Sequence, residues 1–221
     1  GQTLRQWMRD NPKPDLEAVR DIVGQIVKGL RALHRREMLH QDLRPENVMV
    51  DHNGTVKIID FGSTRVAGVE ECAPASLDDE ILGTAQYTAP EYFVGGDIGA
   101  HSDLFSLGVI AYEMLTGQLP YGARIARATS ARAQSRLRYR SAAADPGKVA
   151  LWIDYALARA TEINPQRRYK TMSEFVVDLR RPNPLTKNTF NVALMQRNPL
   201  MFWKVLSLIL TVLLIVSLVT R

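Results

Sequence analysis

Residues 103–116, DLFSLGVIAYEMLT, have apolar side chains on almost every face of the helix that they predict. A helix that is hydrophobic all round is usually buried inside a protein domain. Gly117 and Pro120 follow it and indicate where it ends. The rest of the domain must therefore surround this helix.

The composition is that of one ordinary domain with an appendage. The chain has 221 residues, of which 46% are hydrophobic and 23% charged, and its formal net charge is +5. Cys72 is the single cysteine, so no internal disulfide can form, which suits a reducing cytoplasm. The N-terminal residues lack the apolar core of a signal peptide.

Periodicity predicts a mainly helical (α+β) fold with one small hairpin. Apolar residues at helical spacing predict a helix over 15–35, and two more helices are expected over 148–160 and 171–180. Short apolar strands at 48–50 and 55–59 flank Asp-His-Asn-Gly and predict a hairpin turning at Asn-Gly. Residues 63–100 have little periodicity and predict a long, functional loop.

The C-terminal end has a different character. Residues 200–220 contain one charge, Lys204, and roughly 20 apolar residues are enough to cross a bilayer. Phe202 and Trp203 suit the membrane interface, so the segment predicts a transmembrane helix, with a buried core helix as the alternative. Basic residues precede the span, and the positive-inside rule therefore predicts a cytoplasmic location for residues 1–199. Residues 181–199 are expected to be a linker.

The segment HQDLRPEN at residues 40–47 places several charged and polar side chains in one predicted loop. The predicted hairpin returns the chain, so Asp60 of Asp-Phe-Gly is expected beside this loop. The oxygens of Asn47 and Asp60 would suit magnesium bound together with substrate phosphates. Asp42 could accept a proton from an attacking hydroxyl or orient it, and Arg44 could neutralise a phosphoryl group.

The ordered set of motifs resembles the eukaryotic-type serine/threonine protein kinases. HQDLRPEN is similar to the catalytic loop HRDLKxxN, DFG stands at 60–62, and GTAQYTAPE at 83–91 resembles the end of the activation segment. SDLFSLGVIAYEMLTGQLPY at 102–121 resembles the central helix of the C-terminal lobe, and NPQRR at 164–168 its late DPxxR element. The resemblance covers residues 1–180 and implies a kinase C-terminal lobe.

The resemblance also implies roles for individual residues. Asp42 would be the catalytic base or the hydroxyl-orienting group, and Asn47 and Asp60 would bind magnesium (or manganese) that bridges the phosphates of ATP. Arg44 stands where the family usually has a lysine, and its planar guanidinium keeps the charge but changes the geometry. Thr84 would lie near Asp42 and Arg44, a position associated with Ser/Thr specificity.

Other matching positions imply structural support instead of chemistry. Glu91 and Arg168 would form a buried ion pair. Asp103 would hold the backbone of the catalytic loop, and His40 would be a packed scaffold residue. Gln41 replaces the arginine that normally binds a phosphorylated activation loop, which predicts activation without loop phosphorylation.

The largest departure from the family lies upstream of His40. These 221 residues contain no GxGxxG and no VAIK-like lysine, so the N-terminal β lobe is expected to be absent from them. One interpretation is a fragment or truncated form of a serine/threonine kinase, with little activity alone. The other is a non-catalytic kinase-like module tethered to the membrane that binds or regulates partners.

Expected partners follow from the resemblance and from charge. A kinase-like domain followed by a linker and one span is similar to bacterial membrane kinases, which implies an inner-membrane, single-pass protein with its C-terminus outside. Protein substrates and ATP are expected. The resemblance to bacterial membrane kinases also implies a phosphatase of the PP2C type as a partner or a fused upstream domain. Residues 124–140 are rich in arginine and are expected to be a basic solvated helix or docking surface, with contact to anionic lipid headgroups as the more specific alternative; no nucleic acid is expected.

Overall fold

The computed structural model describes residues 1–60, 65–66, 85–145 and 149–183, together with the single residues 204, 207 and 211. The chain divides into two units, Gly1–Arg181 and Pro182–Arg221. Several predictions lie outside the described residues: Thr84, Phe61-Gly62 of the DFG motif, and most of the predicted linker and span.

The first unit is mainly helical with two small antiparallel sheets. Its helices are α1 (Leu4–Asp10), α2 (Leu16–His34), α3 (Ala100–Thr116), α4 (Ala131–Gln134), α5 (Leu151–Ala160) and α6 (Met172–Arg180). Its strands are β1 (Gln2–Thr3), β2 (Met38–Leu39), β3 (Val48–Val50), β4 (Val56–Ile58) and β5 (Arg65–Val66). Short 3-10 helices span Pro45–Asn47, Pro90–Phe93, Gly122–Arg127 and Pro165–Arg167.

Helix α3 is the buried centre that its sequence predicts. Nearly all of its residues from Ser102 to Met114 are buried, and α2 and α5 pack against it. It begins at Ala100, three residues before the predicted start at 103. It ends as predicted at Gly117, whose φ of 70° is left-handed and whose N–H donates to the Glu113 carbonyl at 2.7 Å.

Helix α2 confirms the prediction made for residues 15–35. Its buried side recurs with helical spacing, as expected for an amphipathic helix against a core. The buried residues are Val19, Ile22, Val23, Ile26, Val27 and Leu30. This side faces α3, and α2 also packs against β4 and α6.

The predicted hairpin forms with β3 and β4 in antiparallel register, with Val48 opposite Ile58 and Val50 opposite Val56. Gly54 has a φ of 79°, as a tight turn requires, and the Asp51 carboxylate accepts from the N–H groups of Asn53 and Thr55 at 2.8 Å each. The sequence did not predict that β1 adds a third strand beside β3, because two residues are too few for a period.

The two other predicted helices form with changed limits. Helix α5 begins at Leu151 instead of 148, and α6 begins at Met172, where the Thr171 side chain caps it. The arginine-rich residues 124–140 are not one continuous helix, because they contain the end of a 3-10 helix and the four-residue α4. The part of the loop 63–100 that is described includes β5, which pairs with β2.

Among the described residues, no helix is both long enough and apolar enough to cross a membrane. In the second unit, Lys204, Ser207 and Thr211 are helical. The Thr211 hydroxyl donates to the Ser207 carbonyl at 2.8 Å, a hydrogen bond one helical turn back. The transmembrane helix over 200–220 therefore stays a prediction.

Candidate active site

The first turn of α3 holds the loop at 40–47 through hydrogen bonds that Asp103 accepts. The buried Asp103 carboxylate accepts from the backbone N–H groups of His40 and Gln41, each at 3.0 Å. The same carboxylate contacts His34 Nε2 at 2.7 Å. His40 is fully buried, and Gln41 has a left-handed φ of 67°. Asp103 therefore holds the backbone just before Asp42 in a conformation that non-glycine residues rarely adopt.

Asp42 and Asn47 face each other across this loop. The Asn47 side-chain nitrogen donates to the Asp42 carbonyl and to Asp42 Oδ2, each at 2.8 Å. A 3-10 turn that begins at Pro45 places Asn47, whose N–H donates to the Arg44 carbonyl at 2.9 Å. Since the amide hydrogens point to Asp42, the Asn47 Oδ1 is the amide atom suited to bind a cation.

The hairpin of β3 and β4 positions Asp60 near Asp42 and Asn47. The N–H of Ile59 donates to the Asn47 carbonyl at 2.9 Å, which extends the pairing beyond β4 and fixes the residue next to Asp60. Asp60 is exposed and has a φ of 60°, so the chain turns sharply there. The structure thus brings together three of the predicted residues, Asp42, Asn47 and Asp60.

The nearness of Asp60 also affects the pKa of Asp42. Burial raises the pKa of this carboxyl above its ordinary value, and the negative charge of Asp60 adds to the rise. Arg44, the Asn47 hydrogen bond and His40 act in the opposite direction without cancelling it. A carboxyl with a raised pKa is a better proton acceptor than an ordinary aspartate.

Arg44 is positioned by a network of carboxylates that no local sequence pattern indicates. Its Nε donates to Glu46 Oε2 at 2.9 Å, and Glu46 Oε1 accepts from Arg5 Nε at 2.8 Å. Arg5 also donates to Glu113 Oε1 on α3 at 2.8 Å. The network therefore ties the loop at 40–47 to both α1 and α3.

Tyr87 extends this network to the segment that precedes Pro90–Phe93. Its hydroxyl donates to Glu113 Oε2 at 2.5 Å and accepts from Arg5 Nη2. Burial and the charge of Glu113 raise the pKa of Tyr87, so it stays a neutral donor. Arg5, Glu46, Tyr87 and Glu113 are up to 108 positions apart, so no local pattern could have indicated that they meet.

Glu91 and Arg168 are in contact in the interior of the first unit. They form a two-pronged pair, Nη1 to Oε1 and Nη2 to Oε2, at 2.7 Å each, and are 4% and 3% exposed. The Ser102 hydroxyl also donates to Glu91 at 2.8 Å. Although burial alone raises the pKa of Glu91, the hydrogen bonds and charge of Arg168 outweigh it, and the pKa is lowered.

The donor set of this site fits a hard cation bound to a phosphorylated ligand. Asn47 and Asp60 supply an amide and a carboxylate oxygen, and magnesium usually takes a few protein oxygens plus phosphates and water. Within the described ranges no cluster of three or more His, Cys, Asp or Glu side chains could hold a metal by itself. The oxygens of Asn47 and Asp60, with Asp42 nearby, suit a cation whose remaining ligands are phosphates and water.

Residues 1–195 match the family described as the protein kinase domain. The chain belongs to the protein kinase family. Its mainly helical unit with small sheets is therefore part of a protein kinase fold, and the family uses ATP and a divalent metal in general. The roles that the motif resemblance implies for Asp42, Asn47 and Asp60 stay predictions, and Thr84 lies outside the described residues.

Bacterial members of the protein kinase family are among its relatives. The chain is 34% identical over 179 residues to the "Probable serine/threonine-protein kinase PknB" of Bifidobacterium longum, covering 81% of this chain and 26% of that protein. It is 32% identical over 179 residues to the serine/threonine-protein kinase PknL of Mycobacterium tuberculosis, covering 81% and 44%. It is 30% identical over 187 residues to PknB of Mycobacterium leprae, covering 81% and 28%. The chain therefore spans less than half of each of these relatives.

Proposed function

We propose that this chain contributes the catalytic-loop side of a serine/threonine protein kinase that phosphorylates protein hydroxyls with ATP. The observation that carries the proposal is the placement of Asp42 against Asn47 with Asp60 beside them. One carboxylate, Asp42, accepts from the Asn47 amide, and a second, Asp60, lies near enough to raise the pKa of Asp42. An amide oxygen and a carboxylate close together support a role in binding a phosphate-bound cation. The serine/threonine kinases among the relatives support the same class of substrate.

Each of the proposed site residues has its own role in phosphoryl transfer. The substrate hydroxyl oxygen forms a bond to the γ-phosphorus, the bond from that phosphorus to the β–γ bridging oxygen breaks, and ADP leaves. Asp42 accepts the hydroxyl proton or orients the hydroxyl. Arg44, held by Glu46, supplies positive charge near the transferred group. Magnesium, held by Asn47 and Asp60, would neutralise charge on the phosphates.

The test is a phosphotransfer assay with three matched variants. The 221-residue chain and the same chain extended by any in-frame coding sequence upstream are assayed for ADP release and for phosphopeptide. The form that shows activity should lose about 10²–10⁴-fold of its turnover in Asp42→Asn, since that is the usual contribution of a positioned base. Asp60→Asn should raise the magnesium concentration needed for half-maximal activity.

Asp51→Asn is the control, because Asp51 lies in the hairpin turn and its role there needs only an acceptor oxygen. It should behave as the parent protein. Phosphotransfer that survives Asp42→Asn unchanged, or its absence from both forms of the chain, would contradict the proposal. In the second case a folded protein without turnover would favour a non-catalytic binding module.

We further propose that residues 200–220 anchor the protein in the bacterial inner membrane with residues 1–199 in the cytoplasm. The support is the sequence: Lys204 is the single charge in this segment, and basic residues precede it. A tether of this kind would restrict the kinase to substrates at or near the membrane surface.

A further inference from the structure

The stretch that follows α3 is rich in arginine, and none of the catalytic roles proposed above uses it. No aspartate or glutamate occurs from residue 114 to residue 144. The same stretch contains six arginines that are all exposed, and we call this set the basic patch: Arg124, Arg127, Arg132, Arg136, Arg138 and Arg140. Six positive charges without an interleaved carboxylate form a strongly positive surface.

The fold brings part of the patch together. Residues 131–137 continue helical hydrogen bonds past α4, so Arg132 and Arg136 are one turn apart and share a face. Arg138 Nη1 folds back onto the Ser135 and Leu137 carbonyls at 3.2 and 3.3 Å, at the end of the same turn. Three guanidinium groups thus cluster around one short helical segment.

Within the part of the chain that the structure describes, the six arginines form no ion pair with a carboxylate. The carboxylate of Asp154 contacts the same segment, but its hydrogen bonds go to the Tyr139 hydroxyl at 2.8 Å, the Ser141 hydroxyl at 2.6 Å and the Ala142 N–H at 2.7 Å. Among the described residues, the arginine guanidinium groups therefore have room to pair with an added carboxylate.

One buried side chain connects the patch to the proposed active site. Gln134 of α4 donates through Nε2 to the Pro90 carbonyl at 2.7 Å and to the Ala128 carbonyl at 3.1 Å. Pro90 follows the segment that Tyr87 ties to the loop at 40–47 through Arg5 and Glu46. The arginines around α4 are thus fixed to the segment that leads to the proposed active site.

We propose that the basic patch binds an acidic stretch of the protein substrate, so that substrates carry glutamates or aspartates near the phosphorylated hydroxyl. Arginine pairs with carboxylates through two parallel hydrogen bonds, which favours this partner over a diffuse positive surface. An acidic protein segment is favoured over lipid because Gln134 bonds α4 to Pro90, three residues after Tyr87, which contacts the network that holds Arg44. This inference rests on the proposed kinase function and names its substrate class.

The experiment separates binding from turnover. The full chain in neutral detergent is titrated with a fluorescent 14-residue peptide that contains one serine and six glutamates, and with a matched peptide that has glutamines instead. Anisotropy should show binding of the glutamate peptide that weakens strongly between about 50 and 300 mM salt, because exposed charges are screened. The glutamine peptide should bind at least about tenfold more weakly, a difference of about 1.4 kcal/mol.

The variant Arg132→Gln/Arg136→Gln/Arg138→Gln should weaken binding of the glutamate peptide about tenfold. The matched control is Arg9→Gln/Arg36→Gln/Arg167→Gln, which removes three exposed arginines outside the patch and should leave binding unchanged. In the phosphotransfer assay, the patch variant should have a higher KM for the acidic peptide and nearly the same kcat. The substitutions remove groups that bind the substrate and leave the groups that act on the phosphate unchanged.

Equal binding of the two peptides, or equal losses in the two triple variants, would overturn the proposal. It would also be overturned if the patch variant lost binding to phosphatidylserine vesicles while keeping its affinity for the acidic peptide, which would assign the patch to lipid. Acidic-peptide binding through the patch without any phosphotransfer would retain the binding surface and reject the kinase function, so the two failures are distinguishable.

Discussion

At the scale of single residues, Arg168 shows how strongly this fold depends on paired charge. All five of its N–H donors have acceptors: the two Glu91 oxygens and the carbonyls of His101, Glu162 and Ile163. Its guanidinium also lies 4.8 Å from the centre of the Phe105 ring. Such a group is stable in the interior only while every partner remains.

The substitution Glu91→Ala should therefore unfold the first unit instead of selectively blocking catalysis. Removing the carboxylate leaves the Arg168 charge buried and uncompensated, which typically costs about 3–5 kcal/mol of the free energy of unfolding. Thermal denaturation followed by circular dichroism should show a large fall in Tm. An inactive Glu91→Ala protein with unchanged Tm would show that the pair is catalytic and not structural.

Glu17→Ala is a matched control, because Glu17 is 65% exposed and its partner Arg20 keeps the Leu179 carbonyl as an acceptor. A carboxylate so exposed to water contributes about 0–1 kcal/mol to the free energy of unfolding, so the Tm of this variant should barely change. Because the pKa of Glu91 is lowered, the free energy of unfolding should fall at acid pH. Its stabilisation is complete above the ordinary glutamate pKa and is lost as pH falls through the lower value of the folded state.

At the scale of secondary-structure elements, α3 approaches the end of α5 closely at Gly108. A Cβ atom added to Gly108 would lie 2.9 Å from Ala160 Cβ and 2.9 Å from Thr161 Cγ2. The backbone carbon of Ala160 would be 3.3 Å away. Glycine at this position therefore lets the buried α3 approach the end of α5, and no flexible side chain is available to give way.

Gly108→Ala should separate these two helices and lower the free energy of unfolding by about 1–3 kcal/mol, the usual cost of overpacking. The control is Gly24→Ala in α2, where the nearest atom to an added Cβ is the end of the Arg180 side chain at 3.8 Å. That change should stabilise the protein by up to about 1 kcal/mol through helix propensity. Chemical denaturation of both variants measures the difference, and stabilisation by Gly108→Ala would contradict the packing argument.

At the scale of the whole molecule, the proposed membrane anchor makes a separate prediction. The full chain expressed in a bacterial host should sediment with the inner membrane and resist alkaline extraction, because an apolar helix of roughly 20 residues inserts stably. A chain ending at residue 199 should be released into the soluble fraction. Extraction of the full chain by alkali, or membrane retention of the shortened chain, would reject an anchor at 200–220.

Most of the helical framework could be predicted because its signals are local. The spacing from Leu16 to Leu33 predicts α2, and the hairpin follows from apolar runs on either side of Asn53-Gly54. The strand β1 and the short extent of α4 were not predicted. Their few residues carry no period, and they form because β3 and the 90–93 segment offer them partners.

For the candidate site, the sequence by itself determined which chemical groups are available and in what order. It supplied Asp42, Arg44 and Asn47 within one loop and placed Asp60 after a hairpin, because these features depend on residues close together in the chain. Their family resemblance also indicated that Asp103, Glu91 and Arg168 would serve as supports.

Only the tertiary structure decided how those groups are held. Glu46 meets Arg5 across 41 positions, Arg5 meets Glu113 across 108, and Gln134 reaches Pro90 across 44. Contacts between residues so far apart depend on how the helices pack around α3, and no local pattern encodes that packing. The orientation of Arg44 and the position of the basic patch therefore became visible only when the core had brought these distant segments together.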